Sequence, residues 1–127
     1  MPRVLVVEND GICRAEIAEV LNELGYEVDQ VGNGAEALAH LATSPRVPDA
    51  ILLDLITPVL DGWGFCRARA TNPRHAGIPV VVMSGIPDID AQARSLGASA
   101  RLRKPFELKA LIDALANACP AEAGAGS

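Results

Sequence analysis

Short apolar runs that alternate with segments of helical period predict an α/β domain, a doubly wound parallel sheet of five strands with five helices. Three observations carry this. The runs VLVV (4–7), AILL (50–53) and IPVVVM (78–83) are rich in branched residues and bounded by polar or turn residues. Strands of this kind are expected where a parallel sheet is covered on both faces. Between them, apolar residues recur at helical spacing. Strict alternation of the two patterns then implies right-handed crossovers, with the loops after strands one, three, four and five at one end of the sheet.

Each element has its own signal. The first strand is VLVV, and the helix after it carries Cys13, Ile17, Val20, Leu21 and Leu24 on one stripe. YEVDQV (26–31) is a second strand, and Gly32-Asn33-Gly34 leads from it into a helix over 35–42. AILL is the third strand. The helix after it, over 61–70, is turned into by Asp61-Gly62 but contains Gly62 and Gly64, each unfavourable by up to ~1 kcal/mol relative to Ala, so it should depend on packing. IPVVVM is the fourth strand, followed by a helix over 89–96 capped by Asp88 or Asp90 and closed by Gly97. SARLR (99–103) reads as a charged edge strand, and Leu108, Leu111, Ile112 and Leu115 form the stripe of the last helix. One domain is expected over 1–119, with 120–127 a disordered end or linker stump, because the tail CPAEAGAGS has nothing to bury.

Composition narrows the function classes. The 127 residues suffice for one domain with a hydrophobic core, and half of them are apolar. No apolar run suggests a membrane span and the N-terminus has no cleavable signal pattern, so a cytoplasmic protein is expected. Cys13, Cys66 and Cys119 form no CxxC pair, so reduced thiols are expected and neither a disulfide framework nor a zinc site is suggested. A formal charge of -5 disfavours direct nucleic-acid binding and favours a protein partner.

The chemistry lies just after the strands. Glu8-Asn9-Asp10 follows the first, Asp54 ends the third, Ser84-Gly85 follows the fourth and Lys104-Pro105 follows the fifth. Carboxylates, a hydroxyl and an ammonium are thus delivered to the carboxyl end of the sheet, where open α/β folds bind ligands. A carboxylate nucleophile, oxygen ligands for a hard cation and donors aimed at phosphoryl oxygens are what phosphoryl transfer to an aspartate requires. The competing structural readings are a polar cluster with Asp10 as N-cap for the first segment, a strand-end acid for Asp54, a simple turn for Ser84-Gly85 and a surface lysine for Lys104.

Together VLVVEND, ILLDLITPVLDG, VVVMSG and RLRKPF resemble, in order and spacing, the motifs of the CheY-like receiver domains of two-component response regulators. The resemblance spans nearly the whole chain and implies a stand-alone receiver with a flavodoxin-like sheet of order 2-1-3-4-5. It makes Asp54 the phosphoacceptor, Ser84 the switch hydroxyl and Lys104 the phosphate-contacting lysine. Glu8, Asn9, Asp54 and the backbone carbonyl of Ile56 would hold Mg2+ or Mn2+. It also implies a sensor histidine kinase or histidine phosphotransfer protein as donor, and a downstream protein on the face made by the fourth helix, fifth strand and fifth helix. Such a protein catalyses only its own phosphorylation and dephosphorylation. The family often has a cis peptide at the position of Lys104-Pro105.

Two positions depart from the family pattern, and two more bear on the lifetime of a phosphorylated state. Asn9 offers a neutral amide where a second acid is usual, which should lower metal affinity. Arg101 stands where an aromatic residue is common; it is expected to be solvated, although with Arg94 and Arg103 it could line the output face. Ile56 and Ile86 cannot orient an attacking water, so a long-lived phosphorylated state is expected. His40 and His75 are expected to be solvated. Two alternatives follow: a receiver-like interaction module acting without phosphorylation, motivated by Asn9 and Arg101, and a phosphohydrolase, disfavoured because Ile56 fills the place of its second acid. A flavodoxin-like cofactor carrier is weaker still, since the loop after the first strand is acidic where a phosphate cradle would be glycine- or hydroxyl-rich.

Overall fold

The computed structural model describes residues 2–119, so the expectation for the tail at 120–127 lies outside the described residues. Strands β1 (Arg3–Val7), β2 (Glu27–Val31), β3 (Ala50–Asp54), β4 (Val80–Ser84) and β5 (Ala100–Arg103) alternate with helices α1 (Gly11–Glu23), α2 (Gly34–Thr43), α3 (Gly62–Ala70), α4 (Ile89–Leu96) and α5 (Leu108–Ala118). All strand pairs are parallel, in the order β2-β1-β3-β4-β5. Both the fold class and the strand order agree with the reading of the sequence.

Side chains alternate across each strand, and the sheet divides the core accordingly. Val4 and Val6 of β1 join Leu52, Val81 and Met83 under α1 and α5, where Ile17, Leu21, Leu111 and Leu115 meet them. Leu5 and Val7 face the other way, with Ile51, Leu53 and Val82, against Leu41, Phe65 and Ile89 of α2, α3 and α4. Every residue of β3 and β4 is buried, which explains why these two strands show as unbroken apolar runs. β4 starts at Val80, two residues later than the run, because Pro79 has no N–H to give a ladder.

Capping follows the sequence except at α4. Asp10 accepts the N–H groups of Ile12 and Cys13, Asn33 that of Glu36 and Asp61 that of Gly64. Gly97 closes α4 at φ 70°, a left-handed conformation suited to glycine. At its start, however, Asp88 occupies the N-cap position without a side-chain capping bond. Its carboxylate instead accepts from Gln92 Nε2, and Asp90 is engaged by Arg101.

The glycines of α3 allow a close approach. A Cβ on Gly62 would lie 2.7 Å from the Cα of Leu55, and one on Gly64 would lie 2.5 Å from Leu60 Cδ1. These residues weaken α3 as an isolated helix and let it pack directly on the chain leaving Asp54. The histidines differ from expectation. His75 is buried at 4% exposure, with Arg69 donating to its carbonyl, and His40 Nε2 lies 3.2 Å from Asp29 Oδ2. The turn bonds of residues 72–78 run through the backbone of His75, whose burial no local pattern announces.

Candidate functional site

Register fixes where the reactive residues fall. Val7 pairs with Leu53, Asp54 with Met83, and Ser84 with Arg103. The residues just after these positions therefore leave the sheet at the same edge, bringing Glu8, Asp54, Ser84 and Lys104 to one end.

Lys104 Nζ donates to Glu8 Oε1 at 2.5 Å and to Asp54 Oδ2 at 3.0 Å. The ends of β1 and β3 meet the residue after β5 at that one nitrogen. Glu8 is 2% exposed, Asp54 6% and Ser84 1%, whereas the Lys104 side chain is 30% exposed and marks the open side of the cleft. Backbone donors complete the acids: the N–H of Asp10 points at Glu8 Oε2 and that of Ile56 at Asp54 Oδ1, both at 3.0 Å. Arg14 of α1 donates to the Glu8 carbonyl at 2.8 Å and steadies the first loop. Nothing in the sequence signals that contact, since its acceptor is a backbone carbonyl that no residue type marks. The Lys104-Pro105 peptide is cis, as the resemblance implies.

The two acids titrate in opposite directions. Burial pushes the Glu8 carboxyl up, but its bonds to Lys104 and to the Asp10 N–H more than offset this and hold it below the ordinary carboxylate range. Asp54 is also pushed up by burial. The Ile56 N–H and Lys104 pull it down, the neighbouring Glu8 charge pushes it up again, and the net displacement is upward. Burial lowers Lys104, yet the two acids together raise its pKa.

The donor set suits a hard cation. Two carboxylates already share one positive charge here, an arrangement that a divalent ion bound by oxygen ligands could also use. Asn9 follows Glu8 at the exposed rim and would add an amide oxygen, and Ile56 follows Asp54 with a backbone carbonyl. Among the described residues no three His, Cys, Asp or Glu side chains gather as a metal-binding group. Any cation would thus rest on two acids supplemented by neutral oxygens.

Ser84 Oγ accepts the Ile86 N–H at 3.3 Å and is not hydrogen-bonded to Asp54 or Lys104 among the described residues. Around the cleft, the side chain of Ile56 is 58% exposed and that of Val59 is 84% exposed. Val59 has φ 67° and sits between Pro58 and Leu60, whose carbonyl and N–H are joined at 2.7 Å. This is a tight γ-turn around a β-branched residue, a rare and strained arrangement. Arg101 is exposed, as expected, and engages Asp90 of α4.

Comparison with known proteins agrees with this geometry. The response regulator receiver domain model matches residues 4–116. The chain is 41% identical over 113 residues to the transcriptional regulatory protein PrrA of Mycobacterium leprae, covering 87% of this chain and 47% of that one. It therefore spans about half the length of that relative. Among solved structures, the chemotaxis response regulator CheY4 of Vibrio cholerae superposes with a TM-score of 0.84 at 28% identity, over 93% of this chain and 98% of that one. The receiver domain of the sensor histidine kinase PA1611 from Pseudomonas aeruginosa, determined with a magnesium ion coordinated in its active site cleft, gives a TM-score of 0.84. Its identity is 26%, over 94% of this chain and 98% of that one. With the sheet order, the converging strand ends and the family match in agreement, the chain belongs to the response regulator receiver domain family of two-component signalling.

Proposed function

We propose that this receiver accepts a phosphoryl group on Asp54 from a phosphohistidine of a sensor kinase or phosphotransfer protein, and that the modified form engages a downstream protein. The observation that carries this reading is the bridge from Lys104 to both Glu8 and Asp54 at the open end of the sheet. Attack by an Asp54 oxygen forms the O–P bond as the phosphohistidine N–P bond breaks. The imidazole leaves with the electron pair and takes up a proton.

Each residue has a physical task. Asp54 must be ionised to attack, and the Lys104 ammonium favours that form, opposing burial and the neighbouring Glu8 charge. Mg2+ or Mn2+ held by Glu8, Asn9, Asp54 and the Ile56 carbonyl would supply the charge that offsets repulsion between carboxylate and phosphoryl oxygens. Lys104, once a phosphoryl is present, can donate to its oxygens, and the Ser84 hydroxyl can turn from the Ile86 N–H to do the same. The resulting shift of the loop after β4 would alter the face formed by α4, β5 and α5, where the downstream protein binds. The protein would act in the cytoplasm and catalyse no turnover beyond its own modification.

Incubation with acetyl phosphate and Mg2+, followed by intact-mass measurement, tests the reading. Wild type should gain one phosphoryl group and Asp54→Ala none. No gain by wild type, or a gain that survives Asp54→Ala, would support the alternative of an interaction module acting without phosphorylation. That alternative is favoured by the neutral amide of Asn9 at the metal position.

A further inference from the structure

The loop between β4 and α4 is held from outside. Its carbonyls at Ile86 and Pro87 accept from the two terminal nitrogens of Arg103, at 3.0 and 3.1 Å. One planar guanidinium thus forks across two successive peptide units, a geometry that a lysine cannot copy. Two residues back on the same face of β5, Arg101 Nε donates to Asp90 in the first turn of α4. The start of α4 lacks its own side-chain cap. It is tied on its other side by Trp63 of α3, whose indole N–H donates to Gln92 Oε1 at 2.8 Å, while Gln92 Nε2 holds Asp88.

This loop leads directly from Ser84. In this arrangement the Ile86 N–H points at Ser84 Oγ, and among the described residues the hydroxyl is not engaged with Asp54. Engagement of Ser84 by a phosphoryl group on Asp54 would free the Ile86 N–H and draw the loop toward the cleft. The carbonyls of Ile86 and Pro87 must then leave the guanidinium.

Resting on the phosphoacceptor reading above, we propose that Arg103, backed by Arg101, is a positioning residue. It holds the loop after β4 in its unphosphorylated arrangement and so sets how readily Asp54 is phosphorylated. The latch lies on the exposed outer side of β5 and its guanidinium groups make no hydrogen bond to Asp54 or Lys104 among the described residues, so it acts on the equilibrium between loop arrangements and not on the site directly. It occupies the strand where the usual aromatic residue of the family is absent. An aromatic side chain would respond to the switch by changing its burial, whereas these arginines respond by exchanging hydrogen-bond partners.

The test compares wild type, Arg103→Gln and Arg103→Lys by amide hydrogen exchange of the unmodified proteins and by the rate of phosphorylation with subsaturating acetyl phosphate and Mg2+. Both variants should raise exchange at residues 86–92 by roughly three- to tenfold, as expected for loss of a pair of hydrogen bonds, with β1 and β3 unchanged. Both should also be phosphorylated several-fold faster than wild type. Arg103→Lys behaving like wild type would show that charge alone suffices and would overturn the fork. Faster exchange throughout the domain, or faster loop exchange with equal or slower phosphorylation, would reduce Arg103 to a structural residue. A wild type that takes up no phosphoryl group would reject the reading beneath the proposal, and the exchange data alone would still show whether Arg103 holds the loop.

Discussion

Replacing Lys104 by methionine keeps most of the side-chain bulk and removes the ammonium that Glu8 and Asp54 share. Two charge-assisted hydrogen bonds are lost, each worth about 1.5–3 kcal/mol in favourable settings. Stripping one partner from a fully buried ion pair costs about 3–5 kcal/mol. The Lys104 side chain is 30% exposed, so water can partly replace it, and a loss of about 2–3 kcal/mol is expected at neutral pH. The pH dependence distinguishes charge from packing. Glu8, held below its ordinary range, contributes stability that is present above the unfolded carboxylate value and fades as pH falls through its folded one. Lys104, raised, contributes stability that is full below its unfolded value and fades as pH rises through its folded one. Asp54 runs the other way, because its raised value means that ionisation opposes folding and that this penalty disappears on acidification. The Lys104→Met deficit should therefore be widest between the carboxylate and lysine ranges and narrow toward acid. Urea denaturation at neutral and acidic pH measures it, and adding Asp54→Asn to the variant should restore about 1 kcal/mol by removing one of two unpaired acids. A deficit equal at both pH values, or no recovery in the double variant, would refute the electrostatic account.

Four further outcomes are expected. Asp54→Asn alone should raise the urea midpoint at neutral pH, with the gain shrinking at acid pH where the wild-type carboxyl is protonated. Val59→Asn should stabilise by about 1 kcal/mol, since a positive φ strains a β-branched residue by on the order of 1–3 kcal/mol and asparagine tolerates it better; at 84% exposure Val59 has little packing to lose, and thermal melts would register the change. Gly34→Ala should destabilise by about 1–3 kcal/mol, because its Cβ would fall 2.4 Å from the Leu60 carbonyl oxygen, a backbone atom that cannot swing away; an unchanged melting temperature would contradict that contact. Ile56→Gln should shorten the life of the acyl phosphate by on the order of tenfold, by placing an amide where it can orient the attacking water, as followed by intact mass over time.

What was legible in the sequence is what a parallel sheet writes locally. β3 and β4 are buried on both faces, so their residues had to be apolar, and a break in that run at Asp54 or Ser84 marks a strand end facing the cleft. Since all strands point the same way, every such break lies at the same edge, and residue types alone assign four separate motifs to one site. The sequence was silent on contacts between elements that are not strand neighbours. Gly62 and Gly64 read as weaknesses of α3 because propensity is a property of the isolated helix; only the approach to Leu55 and Leu60 shows what their lack of a side chain permits. His75 is buried by a turn whose bonds run through its backbone, leaving the pattern of side chains uninformative. Arg101 and Arg103 read as solvated edge charges, and by exposure they are. Their partners are two carbonyls of the loop after β4 and one carboxylate at the start of α4, all more than ten residues away in sequence, and carbonyls carry no signature in the identity of the residues that own them. The residues of the candidate site could therefore be read from residue types at strand ends, whereas the groups that hold the loop around them are defined by backbone position and require the fold to be seen.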